Sequence, residues 1–448
     1  MSPLKISISG VRGTIKDDLT LDFCRDFAQA FAAYLNNQGT VLVGNDGRAS
    51  GKEIQTAVIE GLNLGGINVM DLGLAPTPTI GVLIPCLKAQ GAVIITASHN
   101  PIEWNGLKFV QEEGLFLNQS QAEKLIGIFE RKNFVLAPKK GAYQKYASAN
   151  QDHIDKILPH IEAEKIKARK YKVVIDSVNA SGSIIGPMLL EKLGCQAIKI
   201  HSGLGQDFER GAEPIAKNLT RLCESVKKEK ADLGFALDPD ADRLAIVSEK
   251  GEAIGEEYTL ALAIKYFFQF RKATNRLTVI NLSTSRMIED LGKELDFKVI
   301  RTKIGEINVA EKIKELNAPI GGEGNGGVIF PGVGYNRDSL SGMAIILNLM
   351  AQTQMTISQL KETLPVYIMV KDKIECSDPK ETEKIIACAK KIFKNEEQNN
   401  LDGLKIIFPG SWLHIRSSNT EPIIRLMAEA PTQEEAEKLI AQCKDQAI

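Results

Sequence analysis

One short pattern occurs three times along this chain: an apolar strand, a turn of small polar residues, and then a helix. The copies begin at Val41, Val173 and Val279. After each copy, a further apolar strand ends in an unusual turn: TASHNP after Ile95, DPDADR after Leu237, and a glycine-rich turn within PIGGEGNGG. Uninterrupted β-branched runs that alternate with helical patterns predict mainly parallel sheets buried on both faces. We therefore expect an α/β protein with three similar domains, each built on a mixed, mainly parallel sheet.

The order of elements changes near Leu364. A strand, a helix, the two strand-like segments LKIIFPGSWLHIR and PIIRLMAEA, and a last helix predict a C-terminal α+β domain. A chain of 448 residues is also too long for a single core. The predicted domains are 1–146, 147–251, 252–363 and 364–448. Ligands of open α/β sheets bind at the carboxyl ends of the strands, so the three unusual turns are expected to face one central cleft.

Composition limits the classes of partner. The formal net charge is −1, which gives no general field for nucleic acid or for an anionic membrane, so attraction for a phosphorylated ligand must be local. The seven cysteines are dispersed without a CxxC pair, which is typical of reduced thiols. The chain shows neither a signal-peptide pattern nor an apolar run of about 20 residues. We expect a cytoplasmic enzyme, monomer or homodimer, that binds small molecules and neither nucleic acid nor membranes.

The segment DPDADR is the strongest single signal. In an extended backbone Asp238, Asp240 and Asp242 share one face, and three adjacent carboxylates repel one another unless a cation neutralises them. Oxygen-only ligands suit Mg²⁺. The alternatives are a solvated acidic turn and a calcium EF-hand loop. The second fails because Arg243 stands where that loop needs glycine.

The segment TASHNP places a hydroxyl and an imidazole at a loop tip, because Asn-Pro favours a turn. A hydrolase nucleophile is disfavoured, since there is no GxSxG pattern and His99 is the bonded neighbour of Ser98, a poor position for its base. A serine that carries phosphate fits better, because its negative charge would bind the metal of the Asp238 site. A polar turn without chemistry stays open for this motif alone.

The glycine-rich loop Gly321–Gly327 formally contains GxGxxG, but no helix pattern follows it, so it is a weak dinucleotide fingerprint. Its glycines let the backbone approach a ligand while Glu323 and Asn325 project, a suitable pair for vicinal sugar hydroxyls. A tight structural turn is an equally good interpretation.

The segment RSSNTEP lies between two predicted strands and offers hydroxyls, turn amides and guanidinium groups. This donor set suits one phosphate dianion, although an ordinary hairpin turn is an even alternative. The donors are Arg416, Ser417, Ser418, Asn419, Thr420 and, beyond the turn, Arg425. Arg12, in SGVRG, and Lys108, in NGLK, are two further cations expected to face the cleft.

TASHNP with NGLK, DPDADR, GGEGNG and RSSNTEP, in this order and one per domain, resemble the motifs of the α-D-phosphohexomutases across essentially the whole chain. The resemblance implies a Mg²⁺-dependent mutase that interconverts hexose 6-phosphate and hexose 1-phosphate, with a hexose 1,6-bisphosphate as intermediate and activator. It implies glucosamine phosphates as the substrates, with glucose or mannose phosphates as the alternative.

The same resemblance implies roles for single residues. Ser98 resembles the phosphoserine, which also ligates the metal with Asp238, Asp240 and Asp242. The other catalytic residues implied are Arg12, Lys108 as general acid or base, and His99. The substrate-binding residues implied are Arg243, Lys303, Glu323, Asn325, Arg416, Ser417, Ser418, Asn419, Thr420 and Arg425.

Two positions depart from a common family pattern. Many members have histidine where this chain has Gly327, and some have histidine where it has Glu306, so the proton-transfer group is not defined by the resemblance. Two other classes stay open. A phosphatase of the haloacid dehalogenase type also uses an aspartate-rich loop, and a non-catalytic sugar-phosphate sensor would keep the same motifs.

Overall fold

The computed structural model describes residues 4–8, 10–15, 18–376, 379–418 and 423–447. Their strands form four separate sheets of seven, four, four and five strands. No helix within these ranges is both long enough and apolar enough to cross a membrane. The predicted architecture of three α/β domains and a C-terminal α+β domain is confirmed.

The first domain holds a mixed seven-stranded sheet in the order β1-β2-β6-β5-β3-β4-β7. Strands β5, β3, β4 and β7 are parallel, and β1, β2 and β6 add antiparallel pairs. Its elements are β1 (Lys5–Ser7), β2 (Gly10–Thr14), α1 (Leu21–Tyr34), β3 (Thr40–Asn45), α2 (Gly51–Leu64), β4 (Asn68–Leu74), α3 (Thr77–Cys86), β5 (Gly91–Ile95), β6 (Trp104–Gln111), α4 (Gln119–Glu130) and β7 (Tyr143–Lys145).

The second domain has a four-stranded sheet in the order β11-β10-β8-β9, with β10, β8 and β9 parallel and β11 antiparallel. Two short 3₁₀ turns, Leu158–His160 and Ala216–Asn218, connect its elements. The elements are α5 (Ala149–Ile157), α6 (Ala163–Arg169), β8 (Lys172–Asp176), α7 (Gly182–Lys192), β9 (Gln196–Ile200), α8 (Thr220–Glu229), β10 (Leu233–Leu237) and β11 (Leu244–Ser248).

The third domain repeats this arrangement in the order β13-β12-β14-β15, again with only the last strand antiparallel. Its elements are α9 (Glu256–Phe270), β12 (Leu277–Asn281), α10 (Met287–Leu295), β13 (Lys298–Thr302), α11 (Glu306–Leu316), β14 (Ile320–Glu323), β15 (Gly327–Ile329), α12 (Ser339–Thr353) and α13 (Ile357–Glu362). Each α/β domain therefore contains β-α-β-α-β followed by an antiparallel strand, and the unusual turn lies before that strand.

The C-terminal domain has an antiparallel sheet in the order β16-β20-β19-β18-β17, with both helices packed against it. Its elements are β16 (Ile368–Glu375), α14 (Pro379–Ile392), β17 (Glu397–Asn399), β18 (Leu404–Phe408), β19 (Ser411–Ser417), β20 (Ile423–Ala430) and α15 (Gln433–Ala447). The prediction of one strand over LKIIFPGSWLHIR was wrong. Pro409 has no N–H for a ladder and Gly410 has φ +89°, so the segment turns back as the β18–β19 hairpin.

The distribution of the cores divides the molecule differently from the sheets. One apolar core continues from the second domain into the third, and α9 and α12 are buried along most of their length within it. The first and the C-terminal domain have their own cores. The two middle domains therefore form a common frame, and the aspartate loop and the glycine-rich loop are both fixed to it.

Candidate active site

The unusual turns of the three α/β domains meet strands β19 and β20 around one cleft of about 700 Å³. All four domains contribute charged or polar side chains to its walls. These include Arg12, His99, Lys108, Glu213, Arg243, Glu257, Glu306, Glu323, Asn325, Arg337, Lys371, Arg416 and Arg425. The expected central cleft is therefore present, and eight of the seventeen site residues predicted from the sequence line it. Ser98 and the three aspartates are buried and are not among the described lining residues, although their chain neighbours His99 and Arg243 are.

The aspartate loop follows β10. Asp238, Asp240 and Asp242 are fully buried, and one carboxylate oxygen from each lies within 4.8 Å of the other two. Among the described residues, one oxygen of each has no hydrogen-bond partner: Asp238 Oδ2, Asp240 Oδ1 and Asp242 Oδ1. Three buried acceptors without donors are costly unless a cation binds them. This set fits a hard divalent cation such as Mg²⁺.

The pKa values of Asp238 and Asp240 are shifted by burial and by the charged groups around the loop. Burial, and then the charges of Asp242 and Asp240, raise the pKa of Asp238 well above its ordinary value. The backbone N–H groups of Asp242 and Arg243 both donate to Asp238 Oδ1 at 3.0 Å and fix its side chain. Burial would also raise the pKa of Asp240, but the ammonium group of Lys108 outweighs it and holds that pKa low. The two shifts therefore run in opposite directions, and Asp238 is the carboxylate for which ionisation is costly without a bound cation.

The first domain docks directly on the aspartate loop. Lys108 Nζ lies 2.6 Å from Asp240 Oδ2, and Thr77, at the start of α3, donates to the same oxygen at 2.8 Å. A second bridge runs from Arg243 Nη2 to His99 Nδ1 at 3.0 Å. These contacts place the loop of Ser98 beside the aspartate loop in the same cleft.

The loop of Ser98 is held in an unusual conformation by a buried arginine. Ser98 has φ +51°, a region that residues other than glycine seldom adopt, and is only 2% exposed. Arg48 donates to the carbonyl oxygen of Ser98 at 2.6 Å and to that of Asn100 at 2.9 Å. Arg48 is itself paired with Asp46 at 3.0 Å. This buried pair fixes the backbone of the serine loop.

His99 is neutral at physiological pH. The charge of Arg243, then burial and the charge of Arg12, lower the pKa of His99 to about 2. Its Nδ1 accepts from Arg243 and lies 3.4 Å from Ser98 Oγ. The ring therefore links the serine loop to the aspartate loop, and its Nδ1 is already occupied by a donor.

The glycine-rich loop places two polar side chains in the cleft. Glu323 accepts from Asn281 Nδ2 at 2.7 Å and from Arg337 Nη1 at 2.6 Å, so its carboxylate is fixed by the protein. Asn325 Oδ1 is buried and has no partner among the described residues. An unsatisfied buried acceptor beside a fixed carboxylate is a suitable place for sugar hydroxyls.

Two arginines of the C-terminal domain form the far wall. Arg416 on β19 and Arg425 on β20 are direct cross-strand partners, and both line the cleft. Like charges directly opposite destabilise a sheet, so an anion between them is favourable. Burial, the largest cause, lowers the pKa of Arg416, and the nearest carboxylate, Asp402, lies 3.8 Å away. The pair therefore offers two neighbouring guanidinium groups to an anion in the cleft.

Of the remaining residues predicted from the sequence, some line the cleft and others do not. Arg12 lines the cleft and donates to Asn100 Oδ1 at 3.0 Å. Ser417 is exposed, and Ser418 N donates to Ile423 O at 2.9 Å. Lys303 is exposed and is not among the described residues that line the cleft. Asn419 and Thr420 lie outside the described residues.

Four family models match the chain in order, described as the phosphoglucomutase/phosphomannomutase alpha/beta/alpha domains I, II and III and the C-terminal domain. They cover residues 4–136, 151–251, 255–367 and 370–446. A phosphoglucomutase/phosphomannomutase of Thermococcus kodakarensis is 36% identical, over 96% of this chain and 95% of its own length. The chain belongs to the phosphoglucomutase/phosphomannomutase family.

Two further members of the phosphoglucomutase/phosphomannomutase family extend this comparison. A phosphoglucosamine/phosphogalactosamine mutase of Sulfurisphaera tokodaii is 32% identical, over 97% of each chain. Among solved structures, a family protein of Burkholderia thailandensis superposes with a TM-score of 0.84 at 26% identity, covering 99% of this chain and 96% of that one. The identified family and the four-domain fold therefore agree with what the four motifs predict.

Arg337 accounts for the two departures from the common phosphohexomutase pattern. A Cβ added to Gly327 would lie 2.2 Å from Arg337 Cδ, so the space beside residue 327 is filled by this arginine. Glu306 accepts from the Arg337 backbone N at 2.8 Å, and its carboxylate lies 3.2 Å from Arg337 Nε. Arg337 also bonds Asp242 at 2.5 Å and Glu323 at 2.6 Å. One buried guanidinium therefore joins the aspartate loop to the glycine-rich loop.

Sequence reasoning missed several residues of this family site. Arg337 stands directly before Asp338, the N-cap of α12, so in sequence it has the appearance of ordinary helix-end charge. Arg48 and Thr77 lie far from the motifs they support. Arg48 and Arg337 are only 3% and 7% exposed in the fold, but both stand in polar segments of the sequence, NDGRAS and YNRDS, which give no signal of burial.

Proposed function

We propose that this chain interconverts hexose 6-phosphate and hexose 1-phosphate by way of a phosphorylated Ser98, with glucosamine phosphates as its substrates and glucose or mannose phosphates as the alternative. The observation that carries the proposal is the set of three buried carboxylate oxygens on Asp238, Asp240 and Asp242 that have no hydrogen-bond donor among the described residues. This loop is linked to the Ser98 loop by the hydrogen bond from Arg243 to His99. The curated relatives reported above are named as mutases of such sugars.

The reaction has two phosphoryl transfers. In the first, the bond between phosphorus and Ser98 Oγ breaks while a bond to the free O1 or O6 of the sugar forms, which gives a hexose 1,6-bisphosphate. The bisphosphate then turns around in the cleft, and its other phosphoryl group returns to Ser98. Positioning and charge stabilisation supply most of the catalysis in such transfers.

The carboxylates of Asp238, Asp240 and Asp242, with the phosphate of Ser98, are proposed to hold one Mg²⁺. When bound, the ion offsets negative charge on the transferring group. A hexose 1,6-bisphosphate is the proposed activator, because it can phosphorylate Ser98 with its own phosphoryl group. Lys108, whose Nζ lies 2.6 Å from Asp240 Oδ2, is proposed to stand close to the transferred phosphate.

Proton transfer has two proposed carriers. Lys108 lines the cleft and is the proposed general acid or base, with Arg12 as a second cation near the transferred phosphate. Glu306 is the other carrier, since burial raises its pKa to about 7, while Arg337 partly opposes this shift. A carboxyl group that titrates near neutrality can both accept and return a proton at a sugar hydroxyl.

The substrate is proposed to be bound from two sides. Glu323 and Asn325 receive the sugar hydroxyls, while Arg416 and Arg425 receive the phosphate that is not being transferred. This proposed phosphate clamp sits on a domain with its own core, which supports a movement of this domain that opens the cleft and lets the bisphosphate turn. Arg243, fixed by Glu213 at 2.8 Å, is proposed to close the aspartate loop over the substrate.

Turnover of three sugars tests the proposal. The purified protein, with Mg²⁺ and a trace of glucose 1,6-bisphosphate, is incubated with glucosamine, glucose or mannose 6-phosphate and followed by ³¹P NMR. We expect the 1-phosphate to appear, fastest from the amino sugar, and none with Ser98→Ala. Release of inorganic phosphate alone would support the phosphatase class, which no comparison supports. Binding without turnover would support a sensor.

A further inference from the structure

Glu257 lines the cleft, yet the proposed mechanism gives it no role. It is the second residue of α9, and its Oε2 accepts a hydrogen bond from the backbone N of Ser285 at 3.0 Å. Within the part of the chain that the structure describes, no hydrogen bond or ion pair is found for its other oxygen, Oε1. A cleft-facing carboxylate with an unused oxygen is a candidate ligand-binding group.

This carboxylate lies directly against the glycine-rich loop. A Cβ added to Gly324 would come within 2.0 Å of Glu257 Oε2 and 2.1 Å of Oε1, so only glycine allows this approach. Gly324 N is fixed by Thr284 Oγ1 at 3.1 Å. The neighbours of Gly324 in the chain are Glu323 and Asn325, the proposed receivers of sugar hydroxyls. Glu257 therefore lies beside the two residues that are proposed to receive the sugar hydroxyls.

No protein cation neutralises Glu257 at contact distance among the described residues. Lys371, the cation that faces it from β16, is bonded to Glu256 at 3.2 Å, and the carboxylates of Glu256 and Glu429 also face this region. Burial, the largest cause, raises the pKa of Glu257 to about 8, and these two carboxylates add to the effect. The site therefore gains more from a bound cation than from a neutral hydroxyl.

We propose that Glu257 binds the ammonium group at C2 of an aminohexose phosphate and so makes the site selective for amino sugars. In a hexose, the substituent on C2 is the direct neighbour of the 3-hydroxyl. A carboxylate next to the hydroxyl-binding loop is therefore in position to receive it. A charged donor forms a stronger hydrogen bond to a carboxylate than a hydroxyl does. The inference rests on the proposed mutase function.

The test compares two isosteric variants with two sugars. Glu257→Gln keeps an oxygen for Ser285 N but loses the charge. Glu256→Gln is the matched control, since it removes the neighbouring carboxylate on the same helical turn. For Glu257→Gln, we expect kcat/KM for glucosamine 6-phosphate to fall by about 10- to 100-fold, the range for a hydrogen bond to a charged group. We expect the value for glucose 6-phosphate to change by less than about threefold.

Equilibrium binding separates this inference from the mutase function. Calorimetric affinities of glucosamine 6-phosphate, glucose 6-phosphate and N-acetylglucosamine 6-phosphate are measured without turnover. The N-acetyl sugar carries a neutral amide at the same carbon. We expect wild type to prefer the amino sugar over both neutral sugars, and Glu257→Gln to lose that preference. Equal losses for all three sugars, or an unchanged preference in Glu257→Gln, would overturn the inference whether or not the protein turns over any of them.

Discussion

The buried carboxylate of Glu257, for which no ion pair is found among the described residues, predicts a specific dependence of stability on pH. The pKa is raised from an ordinary 4.5 to about 8, so between these values the folded protein binds more protons than the unfolded chain does. The stability of the wild type therefore falls as pH rises through this window. A shift of this size corresponds to about 2–5 kcal/mol. The Glu257→Gln variant has no group to titrate and escapes this loss.

The assay is thermal unfolding of wild type, Glu257→Gln and the control Glu256→Gln at pH 5, 7 and 9 without ligand. At pH 5 we expect the unfolding midpoints of wild type and Glu257→Gln to be similar. At pH 9 we expect the unfolding midpoint of the variant to be several degrees higher than that of the wild type. Glu257 lies in the unit formed by the second and third domains, which share one core, and about 1 kcal/mol shifts the midpoint of a unit of this size by about 2–4 °C. A difference between them that is the same at pH 5 and pH 9 would refute the reasoning. So would a pH-dependent gain of equal size in Glu256→Gln.

Three further predictions concern the cleft. Asp240→Asn should lower kcat by more than about 10²-fold and abolish the response to added Mg²⁺, and full activity in excess chelator would contradict this. Arg416→Ala should mainly raise KM, by about 10- to 100-fold, because it removes a charge-assisted phosphate contact; an unchanged KM would exclude it from the clamp. Arg337→Lys keeps the charge but loses the two-armed guanidinium group that joins Asp242 to Glu323. We therefore expect both the unfolding midpoint and kcat to fall. Wild-type values for both would refute the bridging role.

The sequence predicted those features that depend on residues close together in the chain. The position of Asp238, Asp240 and Asp242 after β10 follows from the apolar run before them. The prediction that an extended backbone gives them one common face was wrong, because β10 ends at Leu237 and the aspartates converge through a turn in which Ala241 has φ +52°. The repeated β-α units predicted parallel strands in the first three domains, and the parallel strand pairs of those three sheets confirm this. The hairpin of β18 and β19 was missed because a Pro-Gly pair was not interpreted as a turn inside an apolar segment.

Residues that act between domains were not predictable in this way. Arg337, Thr77 and Arg48 support loops that lie 50 or more positions away in the chain. Their hydrogen-bond partners depend on how distant segments pack together, and the local pattern of the sequence does not predict this packing. The position of Glu257 was not predictable either, because its contact with Gly324 depends on how α9 packs against β14.

The phosphorylation state of Ser98 tests the central claim most directly. Wild type and Ser98→Ala are incubated with glucose 1,6-bisphosphate and Mg²⁺, and intact-protein and peptide mass spectrometry are recorded before and after an excess of hexose 6-phosphate is added. We expect an adduct of about 80 Da on Ser98 of the wild type, carried into the sugar bisphosphate when hexose 6-phosphate arrives. A protein that turns over substrate with Ser98 unmodified throughout, or with the adduct on another residue, would contradict the account.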